Sequence, residues 1–226
     1  MRKYFVAAAL AAGGLIASPA SAALVQNGSF ELGSPIPAGS FTTETPGSTA
    51  VTGWTVDGVS IDYMGTYWQA ADGVRSIDLS GSIWDRDLNS ASGAISQTIT
   101  TVVGKVYKVS FAMAGNPDGP AGDSLKVMVT TVNGAFPQVD LFLAGGVFNS
   151  RAAMGWVTKD FLFRATSTST SLAFASNTDS YYGPALDNVS VTGIPEPGTW
   201  ALMIVGFGLA GGAIRTARSR SLLSAT

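Results

Sequence analysis

Tyr107, Val109, Phe111 and Met113 alternate with Lys108, Ser110 and Ala112. A period of two with one apolar face is the pattern of a half-buried strand. Similar short runs predict strands over Val51 to Val56, Val59 to Met64, Arg75 to Leu79, Ala94 to Thr100, Leu125 to Val132, Val139 to Leu143, Val157 to Ala165, Ser171 to Ser176 and Leu186 to Thr192. Glycine-, proline- and asparagine-rich stretches separate them: Gly33 to Gly39, Gly115 to Asp123, Asn133 to Pro137 and Asn177 to Pro184. No part of this body carries a helical period or an internal repeat. The pattern predicts an all-β protein, a β-sandwich or jelly roll.

Both ends break the pattern. Arg2 and Lys3 precede an apolar stretch from Tyr4 to Ile16, and Pro19, Ala20, Ser21 and Ala22 follow it. A charged start, an apolar stretch and an A-x-A site predict a signal peptide over residues 1–22. The Sec machinery would export the chain, and signal peptidase would cut between Ala22 and Ala23. The far end has an uncharged run from Trp200 to Ile214, then Arg215, Arg218 and Arg220. As a helix that run is about 22 Å long, short of the roughly 30 Å hydrocarbon core and therefore a marginal span. The arginines would hold its end on the cytoplasmic side of the inner membrane. The alternative is an amphipathic or core helix, but four glycines and the lack of a polar face oppose it. The fold is then expected from residues 23–194, with residues 195–226 as a tail.

Charge and composition narrow the function of the body. Between residues 23 and 194 stand eight basic and fourteen acidic residues, a net charge of −6. An acidic body without a basic cluster excludes nucleic acid as a natural partner. The chain has no histidine and no cysteine. That excludes Ser-His-Asp and Cys-His catalysis and the usual zinc, copper and iron–sulfur ligands. Any metal would be a hard, oxygen-bound ion, calcium first. Without disulfides an exported domain depends on its hydrophobic core, which about 170 residues can supply.

The tail reads Pro195, Glu196, Pro197, then Trp200 and Ala201, then the apolar run and the arginines. This combination resembles the PEP-CTERM sorting signal of Gram-negative bacteria, in the variant with Trp-Ala after Pro-Glu-Pro. The resemblance implies that exosortase, an integral-membrane cysteine protease, processes the chain near the motif. Pro195, Glu196, Pro197, Trp200 and Ala201 would be recognised, not catalytic. Two prolines keep the junction extended and out of helix. Ser221 to Thr226, beyond the arginines, depart from the usual compact ending. The implied destination is the cell surface or the extracellular matrix, after transient membrane anchoring.

Along the body, Asn27-Gly28-Ser29-Phe30-Glu31, Gly53-Trp54, Tyr63 to Leu79, Ser96-Gln97-Thr98, Tyr107 to Asn116 and Leu186 to Val191 resemble the choice-of-anchor C family. These bacterial exported proteins are related to plant cell-wall domains with a galactose-binding-like jelly roll. Ile83 to Ser92 is longer than the family pattern. The resemblance implies adjacent first and last strands and a structural calcium with Glu31 and Asp187 as carboxylate ligands. The alternative is that both carboxylates satisfy backbone N–H groups at strand ends.

A sugar-binding module needs aromatic faces and planar polar groups. Trp84, beside Asp85, Arg86, Asp87 and Asn89 in an expected exposed loop, and Tyr181 with Tyr182 beside Asp179 are the candidates. Trp54, Tyr63, Trp68 and Trp156 are expected in the core. Three classes follow: a non-enzymatic surface or matrix protein processed by exosortase, a carbohydrate-binding module acting on extracellular polysaccharide, and a glycosidase. The last needs two carboxylates about 5 to 10 Å apart, for which Asp57, Asp62, Asp72, Asp78, Asp85 and Asp87 are the raw material. No cleft is evident in the sequence, and the non-enzyme is the expected class.

Overall fold

The computed structural model describes residues 24–119, 124–132, 138–145, 149–195, 203–212 and 215. The expected signal-peptide site at Ala20, Ala22 and Ala23 lies outside them, as do Glu196, Pro197, Trp200 and Ala201 of the sorting motif. Pro195 is the last described residue before that motif.

Twelve strands are found among the described residues: β1 (Phe41–Glu44), β2 (Thr55–Gly58), β3 (Ile61–Met64), β4 (Ser76–Asp78), β5 (Ser80–Asp85), β6 (Ser90–Thr100), β7 (Val106–Gly115), β8 (Ser124–Val132), β9 (Gln138–Gly145), β10 (Val157–Arg164), β11 (Ser169–Ser176) and β12 (Pro184–Gly193). They form two antiparallel sheets. One runs β1-β3-β4-β12-β7-β10; the other runs β2-β6-β11-β8-β9, with β5 joined to β6. The fold is the all-β sandwich expected from the alternation. Residues 203–212 are helical and exposed, a short apolar helix inside the run expected to span a membrane. Among the described residues no helix is long and apolar enough to cross a bilayer.

The sheets meet on the apolar face that the period of two predicts. Val109, Phe111 and Met113 from β7, Ile61 and Tyr63 from β3, and Leu172 and Phe174 from β11 share one core. Trp54 packs its ring 5.4 Å from Phe30 and 6.1 Å from Phe174, and its Nε1 donates to the Asn27 carbonyl at 3.0 Å. That bond removes the penalty of burying an indole N–H.

Two strands were not expected. β1 is Phe-Thr-Thr-Glu, with one apolar residue in four. β5 pairs with β6 as a hairpin, so Trp84 stands on a strand, half-buried, and not in an exposed loop. The hairpin tip is closed by Asp85, whose Oδ1 accepts the N–H groups of Asp87 (2.8 Å) and Leu88 (3.0 Å).

The opening and closing motifs of the body meet. Val189 N–H donates to the Gly28 carbonyl at 2.8 Å, and a Cβ on Gly28 would lie 1.9 Å from the Val189 carbonyl oxygen. Asn27 takes a left-handed backbone, φ 52°. Its side chain ties the turn by accepting from Leu32 N–H and donating to the carbonyls of Leu32 and Thr52. A β-bulge between Asp187 and Ser190, with Asn188 at φ 48°, re-aims β12 at this point.

Candidate functional site

The outer face of the first sheet is bare at one end and covered at the other. Along β7, burial alternates up to Ser110 and then becomes continuous through Gly115; β3 and β4 are buried at every position. A strand buried on both faces has something packed on each. The cover is the β3–β4 loop, residues 149–156 and residues 177–183, and it surrounds a cleft of about 390 Å³.

Three polar side chains form the floor. Asp62 on β3 and Asp78 on β4 are cross-strand partners, and both are buried with Asn116 at the end of β7. Asp62 accepts from Thr43 Oγ1 (2.6 Å), Ser82 Oγ (2.9 Å) and Ser82 N–H (3.2 Å). Asp78 accepts from Asn116 Nδ2 (2.7 Å) and Ser80 N–H (2.9 Å). Burial raises both carboxyls above the usual range, Asp78 well above it, with the neighbouring Asp62 charge adding to the effect. These bonds pin β1, β5 and β7 around the floor.

One rim is built from the β3–β4 loop and the Arg151 segment. Tyr67 donates its O–H to Asp118 at 3.0 Å, and the Arg151 guanidinium lies 4.1 Å from the Tyr67 ring centroid. Arg151 also pairs with Asp118 through Nε and Nη2, both at 2.9 Å. Trp68 beneath is buried, donating to Ser76 Oγ at 2.7 Å. Trp156 is half-buried, donating to the Gln69 carbonyl at 2.9 Å. The other rim is Tyr181 and Tyr182, both well exposed. The Trp84 ring stands 5.3 Å from that of Tyr181, extending the aromatic surface outward onto β5.

Glu31 and Asp187 hold the β3–β4 loop. Asp187 Oδ2 accepts from Ala71 N–H (2.7 Å) and Asp72 N–H (2.9 Å), and Oδ1 from Asn188 N–H (2.6 Å). Glu31 Oε1 accepts from Val74 and Arg75 N–H, each at 2.8 Å. Burial pushes the Asp187 carboxyl up to about 7, against the pull of its three N–H donors. Calcium requires six to eight oxygens with free lone pairs. N–H groups occupy three of these four carboxylate oxygens, and the described residues hold no cluster of three Asp or Glu. Two carboxylates so engaged are not by themselves a calcium site.

Of the residues the sequence proposed for a ligand, Tyr181 and Tyr182 line the cleft and Trp84 abuts it, while Asp85 and Arg86 sit at the hairpin tip outside the lining. Tyr67, Asn116, Asp118 and Arg151 were not singled out. The sequence presents Asp62 and Asp78 only as acidic raw material for a glycosidase; their signal is a carboxylate set inside an apolar strand, Ile-Asp-Tyr-Met and Ser-Ile-Asp-Leu.

Residues 23–192 match the family described as protein of unknown function DUF642. The chain belongs to the DUF642 family. Residues 193–219 match the PEP-CTERM protein-sorting motif, the signal of exported proteins processed by exosortase. This DUF642 body is 32% identical over 180 residues to Halomucin of Haloquadratum walsbyi, which covers 77% of the chain; the chain spans 2% of Halomucin's length. Among solved structures, TmCBM61, in complex with β-1,4-galactotriose, is 15% identical and covers 77% of this chain and 100% of its own at a TM-score of 0.49. The CBM22-1 xylan-binding domain of Xyn10C from Paenibacillus barcinonensis is 18% identical, covering 72% of this chain and 99% of its own at a TM-score of 0.45.

Proposed function

We propose that this DUF642 protein is a non-catalytic component of the cell surface or extracellular matrix whose body binds carbohydrate in the cleft on its first sheet. In this reading the Sec machinery exports the chain and signal peptidase releases residues 1–22. Exosortase then processes the tail at Pro195, Glu196 and Pro197, with Trp200 and Ala201 as part of the recognised segment. The inner membrane holds the tail only until that step, and the delivered body meets extracellular polysaccharide.

The cleft carries the binding half of the reading. A pyranose ring offers one apolar face and a rim of hydroxyls, and aromatic side chains beside planar polar groups match both. Tyr67, Tyr181 and Tyr182 stand in this cleft with Asn116, Asp118 and Arg151. The non-catalytic half rests on the carboxylate pair: Asp62 and Asp78 lie side by side on the floor, and each is engaged by donors from neighbouring strands. A glycosidase places its two carboxylates on either side of the scissile bond, whereas these two stand next to each other on one floor.

A glycan array probed with the purified chain, with millimolar calcium and again with chelator, tests the reading. Saturable binding to a defined set of glycans, equal in both conditions and without hydrolysis, is the expected result. An array with no specific binding overturns the carbohydrate half, and release of reducing ends from a bound oligosaccharide overturns the non-catalytic half.

A further inference from the structure

We propose that the cleft accepts sugars that carry no negative charge and turns away uronate chains of the same shape. The inference rests on the carbohydrate-binding reading and specifies its ligand class. Its basis is the charge laid around the cleft. Asp62 is on the floor beside Asp78, whose burial favours its uncharged form, and Asp118 is on the rim, so two carboxylates face the cleft. Among the described residues lining the cleft, Arg151 is the one cation, and it is committed to Asp118 through two contacts of 2.9 Å.

An entering uronate carboxylate therefore meets acceptors and no uncommitted cation. It brings lone pairs to a floor that already presents lone pairs, and it gives up water to do so. In a partly enclosed site that repulsion is stronger than in bulk water, and salt entering from the open side of the cleft screens part of it. A neutral sugar has the opposite fit. A carboxylate has about four lone-pair sites; three donors engage Asp62, so it retains capacity for a sugar hydroxyl as donor.

The test is isothermal titration of the purified full chain with neutral galactan, xylan and glucan oligosaccharides and with oligogalacturonate and oligomannuronate of equal length. Each titration is run at low and at high salt, and with the Asp118→Asn chain. The neutral series is expected to bind at least tenfold tighter at low salt. Salt should narrow the gap, and Asp118→Asn, which frees the Arg151 guanidinium, should narrow it several-fold more. Uronates that bind as tightly as neutral sugars, or a gap indifferent to both salt and Asp118→Asn, overturn the charge rule while leaving carbohydrate binding in place. No binding by either series removes the carbohydrate reading itself, and this inference with it.

Discussion

Glu31 and Asp187 grip the C-terminal part of one loop on either side of Gly73: Asp187 Oδ2 takes the N–H groups of Ala71 and Asp72, and Glu31 Oε1 takes those of Val74 and Arg75. The loop between β3 and β4 carries Tyr67 and Trp68, so two residues from the first and last motifs of the body position a wall of the cleft. Gly73, at φ 67°, lets the chain turn between the two grips, and a Cβ there would strike the Glu31 carboxylate.

The clamp predicts unequal costs for its two halves. In Asp187→Asn, one oxygen that accepts an N–H becomes a donor in a fully buried site, and an unsatisfied buried amide costs about 2 kcal/mol. Glu31 is half-exposed, and Glu31→Gln can turn its remaining oxygen to the loop at a cost of about 0.5 kcal/mol. Urea unfolding of the two variants gives the comparison, and equal losses would break the account. Calcium and chelator should leave both unfolding curves where they were, because a native-state ligand would shift them by mass action.

Stability should fall as pH rises from acid toward neutral. Asp62, Asp78 and Asp187 all have carboxyls raised by burial, Asp187 to about 7. Between the ordinary carboxyl value near 4 and each raised value, the folded chain binds more protons than the unfolded one. The free energy of unfolding therefore decreases with pH across that window and levels off above it. A urea midpoint higher at pH 5 than at pH 8 is expected, with the slope reduced in Asp187→Asn. A midpoint that climbs over that range would mean the three carboxyls are stabilised as anions.

Gly28→Ala should be among the most damaging single changes in the body. Its Cβ would lie 1.9 Å from the Val189 carbonyl oxygen, and backbone on backbone has no rotamer by which to relieve a clash. The bond from Val189 N–H to the Gly28 carbonyl would have to open, at a combined cost of about 3 kcal/mol or more. Thermal melts would show a drop of many degrees, whereas Gly39→Ala, whose Cβ meets nothing within 4 Å, should cost only the strain of its positive φ.

How much of this was legible follows from what each residue faces. Ten of the twelve described strands were readable, the longer of them because β7, β11 and their neighbours have one face on the sandwich core, which imposes the period of two. β1 was not: its residues are all half-buried, with Phe41 against the Tyr67 ring of a distant loop, so no apolar alternation marks it. β5 hid for another reason. Its Trp84 is followed in sequence by Asp85, Arg86 and Asp87, and its aromatic partner, Tyr181, is near it only in space. The cleft could not be read at all as a unit. Asp62 and Asp78 are 16 positions apart and Asp118 and Arg151 are 33 apart, and only strand pairing and loop closure bring them together.

The tail and the body should be separable. A chain lacking residues 195–226 keeps the described strands and core, so its body should melt at the same temperature as that of the complete chain. It should also be lost from the surface fraction and appear in the periplasm or medium. Fractionation of cells expressing each form measures this, and unchanged surface retention of the truncated chain would place the sorting information elsewhere.

Truncating the aromatic rim should weaken sugar binding without weakening the fold. Tyr181 and Tyr182 are 46% and 37% exposed, so Tyr182→Ala removes little from the core, and its effect on unfolding should stay within about 0.5 kcal/mol. The same change takes away a face on which a pyranose can stack, worth about 1 kcal/mol or a factor of five to ten in affinity. Trp84 differs in degree: it is half-buried and braces Tyr181, so Trp84→Ala should cost about 1 kcal/mol of stability as well as affinity. Its loss should fall mainly on longer oligosaccharides, because Trp84 stands outside the cleft lining. Titration with a disaccharide and a hexasaccharide, alongside thermal melts, separates the cases. Tyr182→Ala binding both sugars as well as the parent chain would remove the rim from the site, and Trp84→Ala affecting both lengths equally would place that ring in the cleft itself.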